Sequence, residues 1–106
     1  MTGQASVLQI FLNEADLWVD GPLYQVVVRR LRELGVRGAT ASAGIMGYGH
    51  HHLVHERGVF GMAADRPIVI TAVDEDAVIR RVLPEVRRLV REGLVIIHPV
   101  EVVASA

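Results

Sequence analysis

The sequence of 106 residues contains no cysteine, so disulfides and thiolate chemistry are both excluded. It also lacks any long apolar run. Stretches such as Ile68-Val69-Ile70 and Leu94-Val95-Ile96-Ile97 fall far below the roughly 20 residues that a membrane-crossing helix needs. No basic segment followed by an apolar one opens the chain, which predicts no secretory leader and, by default, a cytoplasmic protein without membrane insertion. Nor does one sign of charge prevail: 11 basic against 12 acidic side chains leave a formal charge of -1. That balance argues against a nucleic-acid binder driven by phosphate neutralisation. Aromatic residues make up only 5%, and Trp18 stands alone in a polar connection, where it covers a core edge or sits in an interface.

What the chain has in quantity is apolar surface. Hydrophobic residues account for 51% and the mean hydropathy is +0.34. The length fits one domain, residues 1–106. So short a chain has a high surface-to-volume ratio and cannot bury all its apolar side chains alone, which predicts a homo-oligomer.

Periodicity orders the elements. Residues 7–12 alternate as a first strand, with Leu8, Ile10 and Leu12 on one face and Val7, Gln9 and Phe11 on the other. Asp20-Gly21-Pro22 reads as a helix entry, and Leu23, Val27, Leu31 and Leu34 recur at helical spacing until Gly35. Residues 36–43 form a second strand of small side chains and 68–73 a third, apolar on both faces except at Thr71. Asp74-Glu75-Asp76 opens a second helix with the stripe Val78, Val82, Val86, Leu89 and Val90, in which Pro84 predicts a kink. Glu92-Gly93 ends it, and a last strand over 94–103 is interrupted at Pro99, the mark of an edge or a bulge. Ala104-Ser105-Ala106 reads as a frayed tail. The order strand, helix, strand, strand, helix, strand predicts an α+β, ferredoxin-like βαββαβ fold. It has a four-stranded antiparallel sheet with both helices on one face. The other face, also apolar, should be covered by further copies of the chain.

Chemistry concentrates after the second strand. Gly44-Ile45-Met46-Gly47-Tyr48-Gly49 packs three glycines into six residues, either as a loop hinge or as a cradle whose amides hold phosphate. It is neither a Walker loop nor a dinucleotide fingerprint. His50, His51, His52 and His55 follow, four of the five histidines. His50, His52 and His55 are candidate ligands of a divalent metal, although consecutive histidines on an extended segment point in alternate directions. His98, in an apolar strand, reads as a core or interface histidine. No catalytic set is evident. Ser6, Ser42 and Ser105 lie in no nucleophile-elbow context, and Glu85, Glu92 and the acids at 74–76 suit helix faces and starts. The expectation is a protein that is not an enzyme. Tyr24 and Tyr48 are candidates for stacking on a ligand.

Several segments carry a resemblance. These are Gly21-Pro22-Leu23-Tyr24, then Gly38-Ala39-Thr40 through Gly44-Ile45-Met46-Gly47-Tyr48-Gly49-His50. Asp65-Arg66-Pro67-Ile68-Val69-Ile70 with Val73-Asp74, and Glu92-Gly93-Leu94-Val95 with Val100-Glu101-Val102-Val103, continue it. In this order, over roughly residues 7–103, they resemble a small PII-like family catalogued only as a domain of unknown function. The resemblance implies a ferredoxin-like homotrimer related to PII signalling proteins, which bind adenine nucleotides in clefts between subunits. There a long loop, the T-loop, contacts a partner such as a membrane transporter or an enzyme; here it corresponds to about residues 45–64. The PII pattern of Gly, Thr and a later Gly-aromatic-Gly is similar to Gly38, Thr40 and Gly47-Tyr48-Gly49. One departure matters. PII proteins carry a lysine-containing phosphate loop after the second helix, where this chain has Arg91-Glu92-Gly93-Leu94. Without that lysine, AMP or ADP is the more economical ligand than ATP. The implied nucleotide site comprises the amides of Gly44, Ile45, Met46, Gly47, Tyr48, Gly49 and His50, together with Thr40 and Arg91. Backbone groups of Val36, Thr71 and Val73 would read the adenine edge. The competing reading is a trimeric divalent-metal-binding protein, similar to copper-tolerance members of the same broad fold, that uses His50, His52 and His55.

Overall fold

β1 (Gly3–Asn13) runs through the middle of the sheet, beyond the 7–12 that the apolar pattern marks. The computed structural model describes residues 3–49 and 65–105. After β1 come a two-stranded ribbon, β2 (Leu17–Trp18) and β3 (Gly21–Pro22), then α1 (Leu23–Glu33) and β4 (Ala39–Ala43). β5 (Pro67–Asp74), α2 (Asp76–Leu89) and β6 (Leu94–Val102) complete the chain. The four long strands form one antiparallel sheet in the order β4-β5-β1-β6. β4 and β1 both run antiparallel to β5, so they are parallel to one another, and α1 joins them across β5. In the same way α2 joins β5 to β6 across β1.

Register decides which side chains meet. Leu8 lies between Ala72 and Ile97, and Ile10 between Ile70 and Val95, while Leu12 faces Ile68. This face receives both helices. Leu23, Val26, Val27 and Leu31 of α1 and Ile79, Val82, Val86 and Leu89 of α2 close the core over it. Full burial of each large aliphatic side chain stabilises the fold by about 1.5–3 kcal/mol. The apolar stripe of α2 runs through Ile79 rather than Val78, which is half-buried at its border. Pro84 is exposed and α2 continues through it as one helix. Arg30 donates across the helices to the Glu85 carboxylate, which Arg88, one turn on in α2, also engages.

Local chemistry sets the boundaries. Pro22 occupies the N-cap of α1 at φ -58°, one position earlier than a first-turn proline. Gly35 takes φ +91°, the left-handed conformation that ends the helix. Gly93 is required by space: a Cβ there would stand 2.7 Å from the Phe11 carbonyl and 3.0 Å from Val90 Cγ1. Pro99 lies on β6, the sheet edge, where a missing N–H costs no ladder bond; β6 runs unbroken through it.

The turn after β1 holds the far end of the long connection. Arg66 donates through Nε and Nη2 to the two carboxylate oxygens of Glu14, each at 3.0 Å. The Glu14 N–H donates to the Arg66 carbonyl (2.8 Å) and the Ala15 N–H to Asp65 Oδ1 (2.9 Å).

The outer face of the sheet, away from the helices, carries Val7, Gln9 and Phe11 of β1, opposite Val73, Thr71 and Val69 of β5. His98, Ile96 and Leu94 of β6 flank the other side of the same three residues. His98 is exposed there rather than buried. This face is not wholly bare, because Ala5 and Val7 are both buried.

Candidate functional site

The outer face dips where β4 meets β5. Thr40 pairs with Thr71 and Ser42 with Val69, so their side chains share that face. Arg37, Gly38, Ala39, Thr40, Ser42, Thr71, Val73 and Ser105 line an open concavity of about 610 Å³. Hydroxyls of Thr40, Ser42, Thr71 and Ser105 provide donors and acceptors, and Val73 an apolar patch. The Thr71 hydroxyl accepts from Gln9 Nε2 at 3.4 Å, which links the polar row to the centre of the sheet.

Arg37 supplies the positive charge among these lining residues. Its position is fixed from below. Asp74, at the end of β5 and 2% exposed, accepts the Arg37 backbone N–H at 3.0 Å and the Glu75 N–H at 2.7 Å. The Arg37 Nε lies 3.7 Å from Asp74 Oδ1, with the guanidinium still more than half exposed. A buried carboxylate therefore fixes the backbone at Arg37 and leaves the cationic head open to the concavity.

The sequence-predicted site residues do not all come together. Thr40, Thr71 and Val73 come together in this concavity. Thr71 is flanked by Gln9 on one side and Thr40 on the other, so its backbone lies within the ladder and its hydroxyl is what it presents. Val36 packs its side chain into the core, and its N–H donates to the Leu31 carbonyl at 3.1 Å. Gly44, Ile45, Met46, Gly47, Tyr48 and Gly49 continue from the end of β4. The Gly44 N–H donates to the Pro67 carbonyl at 2.7 Å, and Gly44 and Gly47 stack on the Pro67 ring. A Cβ on either would come within 3.0 and 3.3 Å of Pro67 Cγ, respectively. These glycines thus serve close packing, and none has positive φ. Ile45, Met46 and Tyr48 are exposed. The candidate ligands His50, His52 and His55 lie outside the described residues.

Arg91 stands elsewhere. It follows α2 on the β6 side of the sheet, while the concavity is on the β4 side. Its guanidinium lies 5.8 Å from the Trp18 ring centre and that of Arg88 5.7 Å, a cation–π arrangement. Arg91 and Trp18 share a groove of about 680 Å³ with Asp16, Leu17, Val19, Leu23, Leu89 and Glu92. Within one chain, Arg91 and the hydroxyl concavity do not form one site. Sequence reasoning missed Arg37, which sits between a helix end and a strand and looks like a connector. Its adjacency to Gly38 and Thr40 was the available signal.

Residues 5–102 match the family DUF190, "Uncharacterized ACR". The chain belongs to the DUF190 family. Its relatives include the UPF0166 protein of Aquifex aeolicus, 31% identical over 92% of this chain and 91% of that protein. The UPF0166 protein MJ1524 of Methanocaldococcus jannaschii is 35% identical over 89% of this chain and 87% of its own. Among solved structures, the de novo designed protein Foldit4 superposes with a TM-score of 0.45 at 8% identity, covering 92% of this chain and 94% of that one. An arginine beside four hydroxyls and an apolar patch suits a ligand with an anionic end, hydroxyl groups and a flat apolar part.

Proposed function

We propose that the protein is a non-enzymatic, PII-like regulatory homotrimer with a ferredoxin-like fold that binds an adenine nucleotide, AMP or ADP. The nucleotide sits in a cleft between subunits, and the segment of about residues 45–64 carries the signal to a protein partner, a membrane transporter or an enzyme. The observation that supports this reading is the concavity joining Thr40, Thr71 and Val73 to Arg37. The guanidinium takes phosphate, the hydroxyls take ribose and Val73 faces the base. One arginine suits one or two phosphates better than three. The sheet order, with each helix joining parallel strands across a third, supports the ferredoxin-like assignment. Arg91, on the opposite edge, reaches the nucleotide only from a second copy, which is why the site belongs to an oligomer.

Gly44 and Gly47 stack on Pro67, the first residue of β5, so the strand beneath the nucleotide also seats the start of the long connection. Ligand binding transmits a signal if it favours one arrangement of that connection over another. The lining residues supply hydroxyls and a guanidinium, groups suited to recognising an anionic, hydroxyl-bearing ligand. Titration calorimetry with AMP, ADP, ATP and cyclic AMP tests the reading. Heat is expected with AMP or ADP. A Gly47→Val change should abolish it, because a branched side chain displaces the turn from Pro67. No heat with any of the four at millimolar concentration removes the proposal.

A further inference from the structure

We propose that residues 103–105, the segment following β6, form a wall of the nucleotide concavity, and that the Ser105 hydroxyl contributes to ligand affinity. The part concerning affinity rests on the nucleotide reading above; the placement of the wall does not. β6 is an edge strand that ends at Val102, paired with Gly3. Ser105, three residues later, lines the concavity with Thr40, Thr71 and Val73, on β4 and β5. β1 lies between β6 and β5, so reaching β5 means crossing about 10 Å of sheet. Three extended residues span about 10 Å. Val102 faces Gly3 whereas Val73 faces Val7, so the segment leaves the edge and runs obliquely over β1 towards Ala5 and Val7.

Burial bears out that path. Ala5 and Val7 point to the outer face, opposite to Leu8 and Ile10, yet they are only 2% and 9% exposed in a single chain. Gln9 and Phe11, further along the same strand and face, are only half-buried. Residues 104 and 105 thus belong to the wall, where the sequence suggests a frayed end. It is a wall rather than a plug, since about 610 Å³ remains open beside it. The hydroxyl it brings is the one in the concavity that comes from neither β4 nor β5. The wall is therefore the part of the site that can change without altering the sheet.

The test uses the full chain, a chain ending at Val102, and Ser105→Ala. In the ligand-free proteins, nitrogen–proton and methyl NMR signals of Thr40, Thr71 and Val73 should shift on truncation; unchanged signals overturn the wall. With ADP as the probe, Ser105→Ala should weaken binding by about two- to tenfold, the worth of one neutral hydrogen bond. Truncation should weaken it more. Equal affinity in all three proteins makes the segment a bystander, and tighter binding by the truncated chain makes it a plug; either result overturns the proposal on affinity. If the full chain binds neither AMP nor ADP, the nucleotide reading and the affinity role fail together, and the wall is judged by the ligand-free shifts alone. Ser105→Ala, which leaves β6 intact, separates a lost contact from a damaged strand.

Discussion

Asp74 holds Arg37 at two points: Oδ2 accepts its backbone N–H at 3.0 Å, and Oδ1 lies 3.7 Å from its guanidinium Nε. The carboxylate is buried at the junction of β5 and α2, so the position of the cation depends on the end of a central strand. Asp74→Ala leaves the N–H groups of Arg37 and Glu75 without their acceptor. Hydrogen bonds to a charged group contribute about 1.5–3 kcal/mol each, so a loss of about 2–4 kcal/mol is expected, allowing for partial rehydration. Urea unfolding measures it. Asp74→Asn keeps one acceptor oxygen and should lose less.

Arg37→Ala separates binding from stability. Its side chain is more than half exposed, and an ion pair open to water contributes about 0–1 kcal/mol, so the urea midpoint should move little. Affinity for ADP should fall about 10- to 100-fold, as removal of a charge-assisted bond implies. An Arg37→Ala protein that binds ADP as tightly as the parent excludes this concavity as the phosphate site. Arg37→Lys should recover part of the affinity, since it keeps the charge but loses the planar fork.

The layout of the core was legible in the sequence, because Leu8, Ile10 and Leu12 alternate with period two and the stripes of α1 and α2 recur every three to four residues. The ribbon of Leu17–Trp18 and Gly21–Pro22 was not, because two-residue strands leave no period. The candidate site was half legible. Thr40, Thr71 and Val73 stood out, but Arg37 and Ser105 acquire their roles only when the sheet order brings two distant segments beside β4. Arg91 reads as part of the same site until that order puts it on the far edge.

Ser6 and Asp76 predict an acid-sensitive contact. The Ser6 hydroxyl donates to Asp76 Oδ1 at 2.5 Å, linking β1 to the first turn of α2. That bond, reinforced by Arg80, holds the Asp76 carboxyl below its ordinary value of 3.8. The folded state therefore binds the proton less readily than the unfolded chain. The contribution is present in full above the unfolded value and is lost as the pH falls through the lower, folded one. Denaturant midpoints measured from pH 6 down to pH 2 should decline less steeply below about pH 4 in Asp76→Asn and Ser6→Ala than in the parent. Parallel curves in all three proteins would remove the contact from the account of acid stability.

Gly93 tests packing alone. An added methyl would stand 2.7 Å from the Phe11 carbonyl, with Val90 and Leu12 also close, and the backbone oxygen cannot turn aside. Gly93→Ala should destabilise by about 1–3 kcal/mol, the usual cost of overpacking, although alanine stiffens the unfolded chain favourably. Gly49→Ala is the control, because none of the described residues stands within 4 Å of its Cβ position.

The outer face makes the oligomer testable at Val69. This residue lies in β5, opposite Phe11 and beside Ser42, with Leu94 across β1. A homotrimer joined through its sheets buries the apolar group formed by Phe11, Val69 and Leu94, and Val69→Glu puts a charge into its middle. In a lone chain that glutamate reaches water, and a surface change of this kind alters stability by about 0.5 kcal/mol or less. Between packed sheets the same carboxylate is desolvated without a partner, at a cost of several kcal/mol for each copy. Light scattering should therefore give the parent a mass three times the 11.6 kDa chain, and Val69→Glu the mass of one chain with its circular dichroism unchanged. A parent that runs as a single chain at micromolar concentration leaves the outer face to water. The cleft between subunits would then be lost, and with it the second copy through which Arg91 could reach a nucleotide.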